Sequence, residues 1–536
     1  MSHKLLRGFN LIIVFCLFVA SLVVVAVSSV TTIYYDMGSD VDFPHYGKEN
    51  VLLLLLFLLI SLVVLYLMYR GKIFEKDKLL IVIALLFISL YCMMLILSIN
   101  PQAVNDSKTL DDIINQFARG DYSSLTTPGE YLFTWPFQLG YVGFGQIMHA
   151  IFGESNYFAW DMVQLLSILV TIYLLYQITR ELFEDEVICG IMAILSFGAL
   201  FFYNYVTYIY GDIISMAPQT LALYLMIKFT KREKLGYFLG ATLSIAVAVL
   251  LKTNCEITLI ALAVILMHGV IEGRSKYKNV EINVADTKKK PNVRPAARLV
   301  QRLVLSIVMV SVTILFKTVV DSHYCRLTGM DSIPDGNPAW AHIAMGLQES
   351  PLEDGWYNGY NYQVFSENGF DSAATGQAAI ENIKGTLSDF AHRPLHGARF
   401  FIRKFTTQWA DPVCVSTHNL DLVSRHVDKE SALRDFLVFG SDRGCPMLIW
   451  IMNIFMPVCY IGALVYLFGI LRGREVSHHE MLILILIFGG ILFHEFWEGS
   501  SRYAMRYYIY WLPYAAFGMK KVLEKADTML GRIVRS

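Results

Sequence analysis

The stretch NPQAVNDSKTLDDIINQFARGDY, from Asn100 to Tyr122, decides how the rest of the chain is interpreted. It follows three strongly apolar segments, each long enough to cross a bilayer. It is also the first place where carboxylates and a helical apolar pattern coincide with a membrane edge. Its apolar residues recur at i, i+3, i+4 and i+7, and they are Leu110, Ile113, Ile114 and Phe117. We therefore predict a short amphipathic helix in the membrane interface.

The polar face of this helix is predicted to point to solvent, and its residues are Asp111, Asp112, Asn115, Gln116 and Arg119. Asp106 precedes the first turn, where an Asp side chain commonly accepts from free backbone N–H groups. Capping is therefore one interpretation of Asp106. The other interpretation is a functional carboxylate at the outer edge of the membrane. The rest of the sequence is needed to decide between a capping role and a functional one.

The composition indicates a polytopic membrane protein. Hydrophobic residues make up 55% of the 536-residue chain, charged residues make up 17%, and the mean hydropathy is +0.49. The formal net charge of −1 hides an uneven distribution, because Lys and Arg are concentrated in alternate loops. We expect the lipid bilayer as a partner and no nucleic acid.

Because a bilayer core needs about 20 apolar residues per helix, scanning the chain predicts an all-α fold with about twelve transmembrane helices. Their predicted limits are 9–32, 50–69, 79–99, 157–179, 187–205, 212–229, 235–251, 254–271, 300–320, 447–471, 481–497 and 503–520. The first span is predicted to be uncleaved, since its apolar run is longer than that of a signal peptide.

The clustered Lys and Arg residues orient this topology. They lie in segments 69–78, 179–186, 228–234, 274–302 and 471–480, and after residue 520. Positive loops favour the cytoplasmic side, so both termini are predicted to be cytoplasmic in a multi-pass plasma-membrane protein. Segment 274–302, which contains Lys288, Lys289 and Lys290, is predicted to be a flexible cytoplasmic linker.

Two long segments then remain outside. Residues 100–156 are predicted to hold interfacial helices. The second lies within GEYLFTWPFQLGYVGFGQIMHAIFG from Gly129 to Gly153, where Pro136 and five glycines argue against a span. Residues 321–446 are predicted to form a small exterior domain between spans nine and ten. The predicted organisation is a transmembrane module at 1–320, this domain at 321–446, and C-terminal helices with a cytoplasmic tail at 447–536.

The eight cysteines give little information about function. Cys16, Cys92, Cys189 and Cys459 lie inside apolar runs and are predicted to be packing residues. Cys325, Cys414 and Cys445 are predicted to be exterior or at its edge, so one disulfide among them is a possibility with three pairings that the sequence does not choose between.

Four further patches accompany the Asp106 segment; three carry charge at a predicted outer membrane edge, and the third in chain order lies in the predicted exterior domain. NYVTYIYGDIISM from Asn204 contains Asp212, and AVLLKTNCEI from Ala248 contains Lys252. HIAMGLQESPLEDGWYNGYN from His342 and FFIRKFTTQWADP from Phe400 form the third patch, which contains Lys404. FHEFWEGSSRYAMRYY from Phe493 forms the fourth, with Glu498, Arg502 and Arg506.

In their order and topological side, these patches resemble the GT-C superfamily of glycosyltransferases, which use polyprenyl-phosphate-linked sugars. The similarity covers most of the chain and is closest to bacterial members related to protein O-mannosyltransferases and aminoarabinose transferases. It implies transfer of a hexosyl or pentosyl group from a polyprenyl-phosphate donor to a glycan, lipid or protein acceptor of the cell envelope. One departure is the presence of three spans before the Asp106 loop, where the family commonly has one.

The resemblance implies roles for individual residues. Asp106 is predicted to be the general base of an inverting transfer on the exterior face. Asp212 is predicted to be a second catalytic carboxylate, which orients the acceptor or joins Asp106 in holding a divalent cation. Lys252, Arg502 and Arg506 are predicted to bind the lipid phosphate, since fixed cations stabilise the leaving group. Asp106 and Asp212 are the predicted ligands if Mg²⁺ or Mn²⁺ takes part, and no other cofactor is expected.

Three residues are predicted to support the site: Glu498, Asp161 and Lys404. Asn105–Asp106–Ser107 matches an N-glycosylation acceptor, and a glycan there would block the site, which favours a bacterial host. A lipid-linked glycan polymerase or ligase remains an alternative. A lipid-sugar transporter or flippase is another, although its ionisable residues are expected near mid-membrane.

Overall fold

The computed structural model describes residues 2–280, 295–425 and 431–533 of the chain. Its first part contains a helix, a two-stranded antiparallel hairpin and two further helices: α1 (Ser2–Ser28), β1 (Thr31–Tyr35), β2 (Pro44–Lys48), α2 (Val51–Arg70) and α3 (Asp77–Ile99). The loop that follows holds α4 (Asn105–Ala118), α5 (Ser123–Thr126), α6 (Tyr131–Thr134) and α7 (Leu139–Phe152).

The central part consists of α8 (Tyr157–Phe183), α9 (Glu186–Ser196), α10 (Leu200–Tyr203), α11 (Gly211–Ile214), α12 (Met216–Arg232), α13 (Leu235–Leu251), α14 (Glu256–Val280) and α15 (Pro295–Thr328). The late segment follows with α16 (Ala339–Gly346), α17 (Tyr360–Glu367), α18 (Ser372–His392), α19 (Pro394–Trp409), α20 (Ser416–Ser424) and α21 (Ala432–Phe439). The chain ends with α22 (Pro446–Leu471), α23 (His478–Phe496), α24 (Ser501–Tyr508) and α25 (Leu512–Ile533).

The prediction of an all-α polytopic membrane protein is confirmed. Within the described ranges, eight helices are long and apolar enough to cross a membrane, or nine if one bent pair counts as a single span. That pair, Glu186–Ser196 and Leu200–Thr207, bends by 58°. Helices Leu235–Leu251 and Thr253–Gly269 are apolar but shorter. The exact number of spans stays a prediction.

Two of the predicted spans are each divided between two helices in the structure. At the bend of the fifth span, a Cβ on Gly198 would lie 2.4 Å from the Phe455 ring, so only glycine allows this close packing. The predicted span 503–520 is divided between α24 and α25. Pro513 lies in the first turn of α25, where its missing N–H costs nothing and where a helix readily begins.

About half of the predicted linker 274–302 falls on residues 281–294, which lie outside the described part of the chain, as do Lys288, Lys289 and Lys290. On either side, α14 ends at Val280 and α15 begins at Pro295. All eight cysteines are free in the structure, so it shows no disulfide among Cys325, Cys414 and Cys445.

The late segment contacts the rest of the molecule closely. Ala341, Ala344, Val364 and Ala379 form a small apolar cluster of their own. Residues 409–423, in contrast, contribute Trp409, Val413 and Leu420 to the same core as the spans. The β1–β2 hairpin, which the sequence did not predict, lies against this segment because Gly38 N–H donates to Asp421 Oδ2 at 2.8 Å.

Asp411 joins three parts of the chain. Its Oδ2 accepts hydrogen bonds from Tyr35 of the hairpin at 2.9 Å and from Ser501 of α24 at 2.6 Å. The backbone N–H groups of Val413 and Val415 also donate to its carboxylate. The side chain is fully buried, so each of these donors would be left unpaired without it.

We expect Asp411→Ala to destabilise the protein by about 3 kcal/mol or more, because a buried donor without its acceptor costs about 1 to 3 kcal/mol. Thermal unfolding of the detergent-solubilised protein measures this. Asp435→Ala is the matched control, since that carboxylate is 56% exposed. Equal melting temperatures for the two variants would contradict the role of Asp411 as a junction.

Candidate functional site

A buried ionic cluster lies where α11, α13 and α24 meet. The Asp212 carboxylate is 4% exposed, and its Oδ2 accepts from Lys252 Nζ at 3.2 Å. Its Oδ1 is 3.8 Å from Arg506 Nη2. Lys252 Nζ also lies 4.2 Å from the centre of the Tyr210 ring, a cation–π distance. The structure thus brings together three of the predicted site residues, which are far apart in sequence.

Arg506 is committed to protein partners. Its Nη1 donates to Gln219 Oε1 and Cys255 Sγ, both at 2.9 Å. Its Nη2 donates to Ser215 Oγ at 2.9 Å and to the Asp212 carbonyl at 3.3 Å. The residue is 1% exposed. These contacts favour a positioning role for Arg506, and its predicted binding of a lipid phosphate stays a prediction.

Arg502 differs from Arg506 because much of its hydrogen-bonding capacity is unused. Its Nη1 donates to Tyr208 OH at 2.8 Å, whereas its Nε is buried without a partner among the described residues. The rings of Tyr208, Tyr210 and Tyr503 surround the guanidinium at 5.3 to 5.7 Å. A guanidinium with open donors in an aromatic cage suits a phosphate group, which it can bind through two oxygens.

Asp106 lies in the first turn of α4 and does not cap it. The helix begins after Val104, and the contact there is between the Val104 N–H and Ser107 Oγ at 2.9 Å. The Asp106 side chain is exposed, and the described residues provide no hydrogen-bond or ion-pair partner for it. Of the two interpretations of Asp106, the structure therefore does not support the cap.

One prediction for α4 is wrong. Asp111 and Asn115 are buried and do not face solvent. Asp111 Oδ2 accepts from Ser155 Oγ at 2.7 Å and from Tyr157 OH at 2.9 Å. The residues after α7 cover this side of α4, which a helical pattern alone does not reveal. The predicted apolar face, in contrast, is buried as expected: Leu110, Ile113, Ile114 and Phe117.

Tyr208 shows that Asp106 and the ionic cluster share one environment. Burial raises the pKa of Tyr208 to about 12, the nearby Arg502 lowers it, and the charges of Asp106, Asp212 and Asp42 raise it further. Each of these groups is therefore close enough to act on the same phenol. Asp106 and Arg502 are therefore both within electrostatic range of Tyr208.

Glu498, predicted to support the site, lies beside it. Its Oε1 accepts from Tyr503 OH at 3.0 Å. Burial raises the pKa of Glu498, the hydrogen bond from Tyr503 and the charge of Arg502 lower it, and the Asp106 charge raises it. Arg502 and Asp106 are thus both within electrostatic range of the Glu498 carboxyl.

Asp42 is a residue of this site that the sequence analysis missed. Burial raises the pKa of Asp42, and the charges of Arg502 and His418 lower it. Asp42 belongs to DMGSDVDF in the β1–β2 connection, which Tyr35 and Gly38 fix to the late segment. The signal was available, because the predicted topology already placed this acidic connection outside.

The other two supporting residues lie elsewhere. Lys404 is buried, and its Nζ donates to the carbonyls of Glu495 at 3.1 Å and Trp497 at 2.6 Å, so it holds the chain that leads to Glu498. Burial lowers the pKa of Lys404 to about 8. Asp161 is buried near the outer end of α8, without a partner for its Oδ1 and outside the cluster around Arg502.

The residues present do not fit the predicted metal site well. Asp212 already pairs with Lys252 and lies near Arg506, so a divalent cation would have to compete with two fixed positive charges. In the ranges that the structure describes, no group of three His, Cys, Asp or Glu side chains is arranged to hold a metal ion. We derive no step through a metal.

His342 connects the late segment with the C-terminal end of α23. Its ring stacks on Trp497 at 4.8 Å and lies 5.3 Å from Trp135 of the loop between α3 and α8. Burial lowers the pKa of His342 from its usual value of 6.5 to about 4. The ring is therefore neutral in the folded protein at pH values where it is protonated in the unfolded chain.

We expect His342 to make the protein less stable in acid. The unfolded chain binds the extra proton as the pH falls below 6.5, so stability is lost progressively down to about pH 4, by about 3 kcal/mol in total. Melting temperatures at pH 7 and pH 4.5 measure the loss, and His342→Phe, which keeps an aromatic ring on Trp497, should show a smaller one. An identical acid dependence in wild type and His342→Phe would contradict this assignment.

Comparison with protein-family models finds a family that part of the chain resembles. Residues 143–283, about a quarter of the chain, match the family of dolichyl-phosphate-mannose-protein mannosyltransferases. This segment contains Asp212 and Lys252. Over this segment the chain is similar to that family, which agrees with the resemblance to GT-C glycosyltransferases described above. Among curated protein sequences, none matches significantly.

Solved structures show weak similarity. An oligosaccharyltransferase of Archaeoglobus fulgidus, tethered with an acceptor peptide, is 16% identical with a TM-score of 0.40, over 84% of this chain and 50% of that one. ArnT from Cupriavidus metallidurans, bound to undecaprenyl phosphate, is 12% identical with a TM-score of 0.31, over 82% and 77%. This chain therefore spans about half the length of that oligosaccharyltransferase.

Proposed function

We propose that the chain is an integral membrane glycosyltransferase that transfers a sugar from a polyprenyl-phosphate carrier to a cell-envelope acceptor. The observation that carries this proposal is that Asp106, a carboxylate without a partner among the described residues, and Arg502, a guanidinium with open donors, both lie within electrostatic range of Tyr208. The matched family is named for a sugar on a dolichyl phosphate, which supports a donor of this chemical type.

In the proposed reaction, Asp106 accepts the proton of an acceptor hydroxyl while that oxygen attacks the anomeric carbon of the sugar. A bond forms between the acceptor oxygen and the anomeric carbon, and the bond from that carbon to the phosphate oxygen breaks. The polyprenyl phosphate leaves with the electron pair. A single displacement inverts the anomeric centre and needs no covalent sugar–enzyme intermediate.

Arg502 stabilises the negative charge that develops on the leaving phosphate. Its open donors are fixed by the tyrosine cage before the reaction, so little reorganisation is needed as the charge forms. Lys252 adds positive charge, although its contact with Asp212 offsets part of it. Asp212 holds Lys252 and Arg506 in place, which makes it an orienting residue of this mechanism.

The position of these charges favours transfer over transport. Asp212 lies at the start of the helical span Gly211–Arg232, Lys252 lies between two apolar helices, and Arg502 lies at the start of α24. A transporter is expected to place its ionisable residues near the middle of its spans. We propose that this face is the exterior one, in a plasma membrane with both termini cytoplasmic, as the positive loops indicate.

The test is genetic and does not require the acceptor to be identified first. Cells that lack the chain are complemented with wild type or with Asp106→Asn, and their envelope glycans and polyprenyl-phosphate sugars are compared by mass spectrometry. We expect one sugar to disappear from an envelope component and its polyprenyl-phosphate form to accumulate, both without the chain and with Asp106→Asn. Loss of longer repeat units would instead indicate a polymerase or ligase, and unchanged glycans and carriers would contradict the proposal.

A further inference from the structure

A second polar cavity lies between the outer end of α3 and the start of α8. Its volume is about 580 Å³, and its lining includes Ser98, Asn100, Gln102, Phe158 and Asp161. Arg502, Lys252 and Asp212 are not part of this lining. The cavity is therefore separate from the transfer site.

Asp161 is the unusual residue of this cavity. It is 1% exposed, its Oδ1 is buried without a hydrogen-bond partner, and the described residues provide no cation for it. Two other buried carboxylates have hydrogen-bond partners: Asp77 accepts from Tyr176 OH at 2.7 Å, and Asp411 accepts from four donors. An unpaired buried carboxylate is costly, so its retention points to a group that enters the cavity and donates to it.

The other lining groups identify the chemistry of that group. The side-chain amides of Asn100 and Gln102 have no partners among the described residues, and each can both donate and accept. Amide N–H donors do not favour a cation, whereas a ligand with several hydroxyl groups uses donors and acceptors alike. Phe158 is 52% exposed at this cavity, and an exposed aromatic ring offers an apolar face to a sugar ring.

We propose that this cavity binds a neutral saccharide unit, with Asp161 accepting hydrogen bonds from its hydroxyl groups. The lining residue Gln102 is four residues before Asp106, a separation that an extended chain covers in at most about 14 Å. The bound saccharide is therefore well placed to be part of the acceptor. Only that last assignment rests on the proposed function, because binding itself requires no transfer.

Saturation-transfer-difference NMR with the full-length protein in nanodiscs tests the site. The probes are the methyl glycosides of glucose, galactose and mannose, with ethanolamine as a cationic comparison. We expect at least one glycoside to bind to wild type, and its dissociation constant to increase at least about tenfold in Asp161→Leu, since the hydrogen bonds between the carboxyl group and the sugar are lost. Asp112→Asn, which changes an exposed carboxylate of α4, should bind as wild type does.

Further variants distinguish a failure of the proposed saccharide site from a failure of the proposed transferase function. Gln102→Trp fills the cavity without removing Asp161, so loss of binding in both variants, at unchanged melting temperature, supports the site. Binding that survives in both variants, binding of ethanolamine alone, or no glycoside signal would overturn the proposal. Asp106→Asn should retain glycoside binding. If wild type binds the glycoside but transfers no sugar from any polyprenyl-phosphate donor, the proposed function fails while this site stands.

Discussion

Asp106→Asn is expected to lower the rate of sugar transfer by about 10²- to 10⁴-fold, the usual contribution of a general base. The amide cannot take the proton of the acceptor hydroxyl, although it has nearly the same shape as the carboxylate. The side chain is exposed and has no partner among the described residues, so the change should leave the melting temperature unaltered. The rate of polyprenyl-phosphate release by purified, reconstituted protein measures the effect.

Asp112→Asn is the matched control for this variant. It makes the same substitution six residues later on the same helix, at a half-exposed carboxylate that pairs only with Lys108. Transfer by this variant should equal that of wild type. A wild-type rate for Asp106→Asn would remove it as the base and direct attention to Asp42 and Glu498, the other carboxyls near Arg502.

Arg502→Met should produce the other large effect, a decrease of about 10²- to 10³-fold in kcat, as expected when a donor to the developing charge is removed. Arg502→Lys should recover only part of the rate, because Lys retains the charge but lacks the planar pair of donors. Both kcat and the affinity for polyprenyl phosphate should be measured, since a residue that binds the leaving group affects both.

Arg399→Met is the control for Arg502. Arg399 is an exposed arginine of α19 at another cavity, lined also by Glu349 and Asp354. Its removal should change neither kcat nor the affinity for the carrier. If Arg502→Met transfers sugar as fast as Arg399→Met, the tyrosine-caged guanidinium does not act on the phosphate.

Much of the fold can be predicted from local sequence, because membrane-spanning and interfacial helices are determined by apolar residues that are close together in the chain. The apolar face of α4 was predicted residue by residue, and its burial agrees. The same pattern failed at Asp111, because Ser155 and Tyr157 reach it from more than 40 residues away. The periodicity of a helix shows which residues share a face. It does not show which residues from elsewhere in the chain pack against the polar face.

The candidate site was only partly predictable for the same reason. Asp212 and Lys252 could be singled out because charges at the outer ends of apolar segments are conspicuous. Their pairing could not be predicted, nor could the contact of Arg502 with Tyr208, 294 residues earlier in the chain. Asp42 was missed because its role depends on a hairpin that is held by contacts with the late segment.

Sugar transfer by the purified protein in a reconstituted membrane tests most directly whether the chain is a polyprenyl-phosphate-dependent glycosyltransferase. Purified protein is reconstituted with a series of polyprenyl-phosphate monosaccharides and an envelope lipid extract, and the release of polyprenyl phosphate is followed for wild type, Asp106→Asn and Arg502→Met. We predict that wild type consumes one donor with inversion of the transferred sugar, and that both variants are slower by at least about 10²-fold. Consumption of no donor by wild type, or equal rates in all three proteins, would contradict the account.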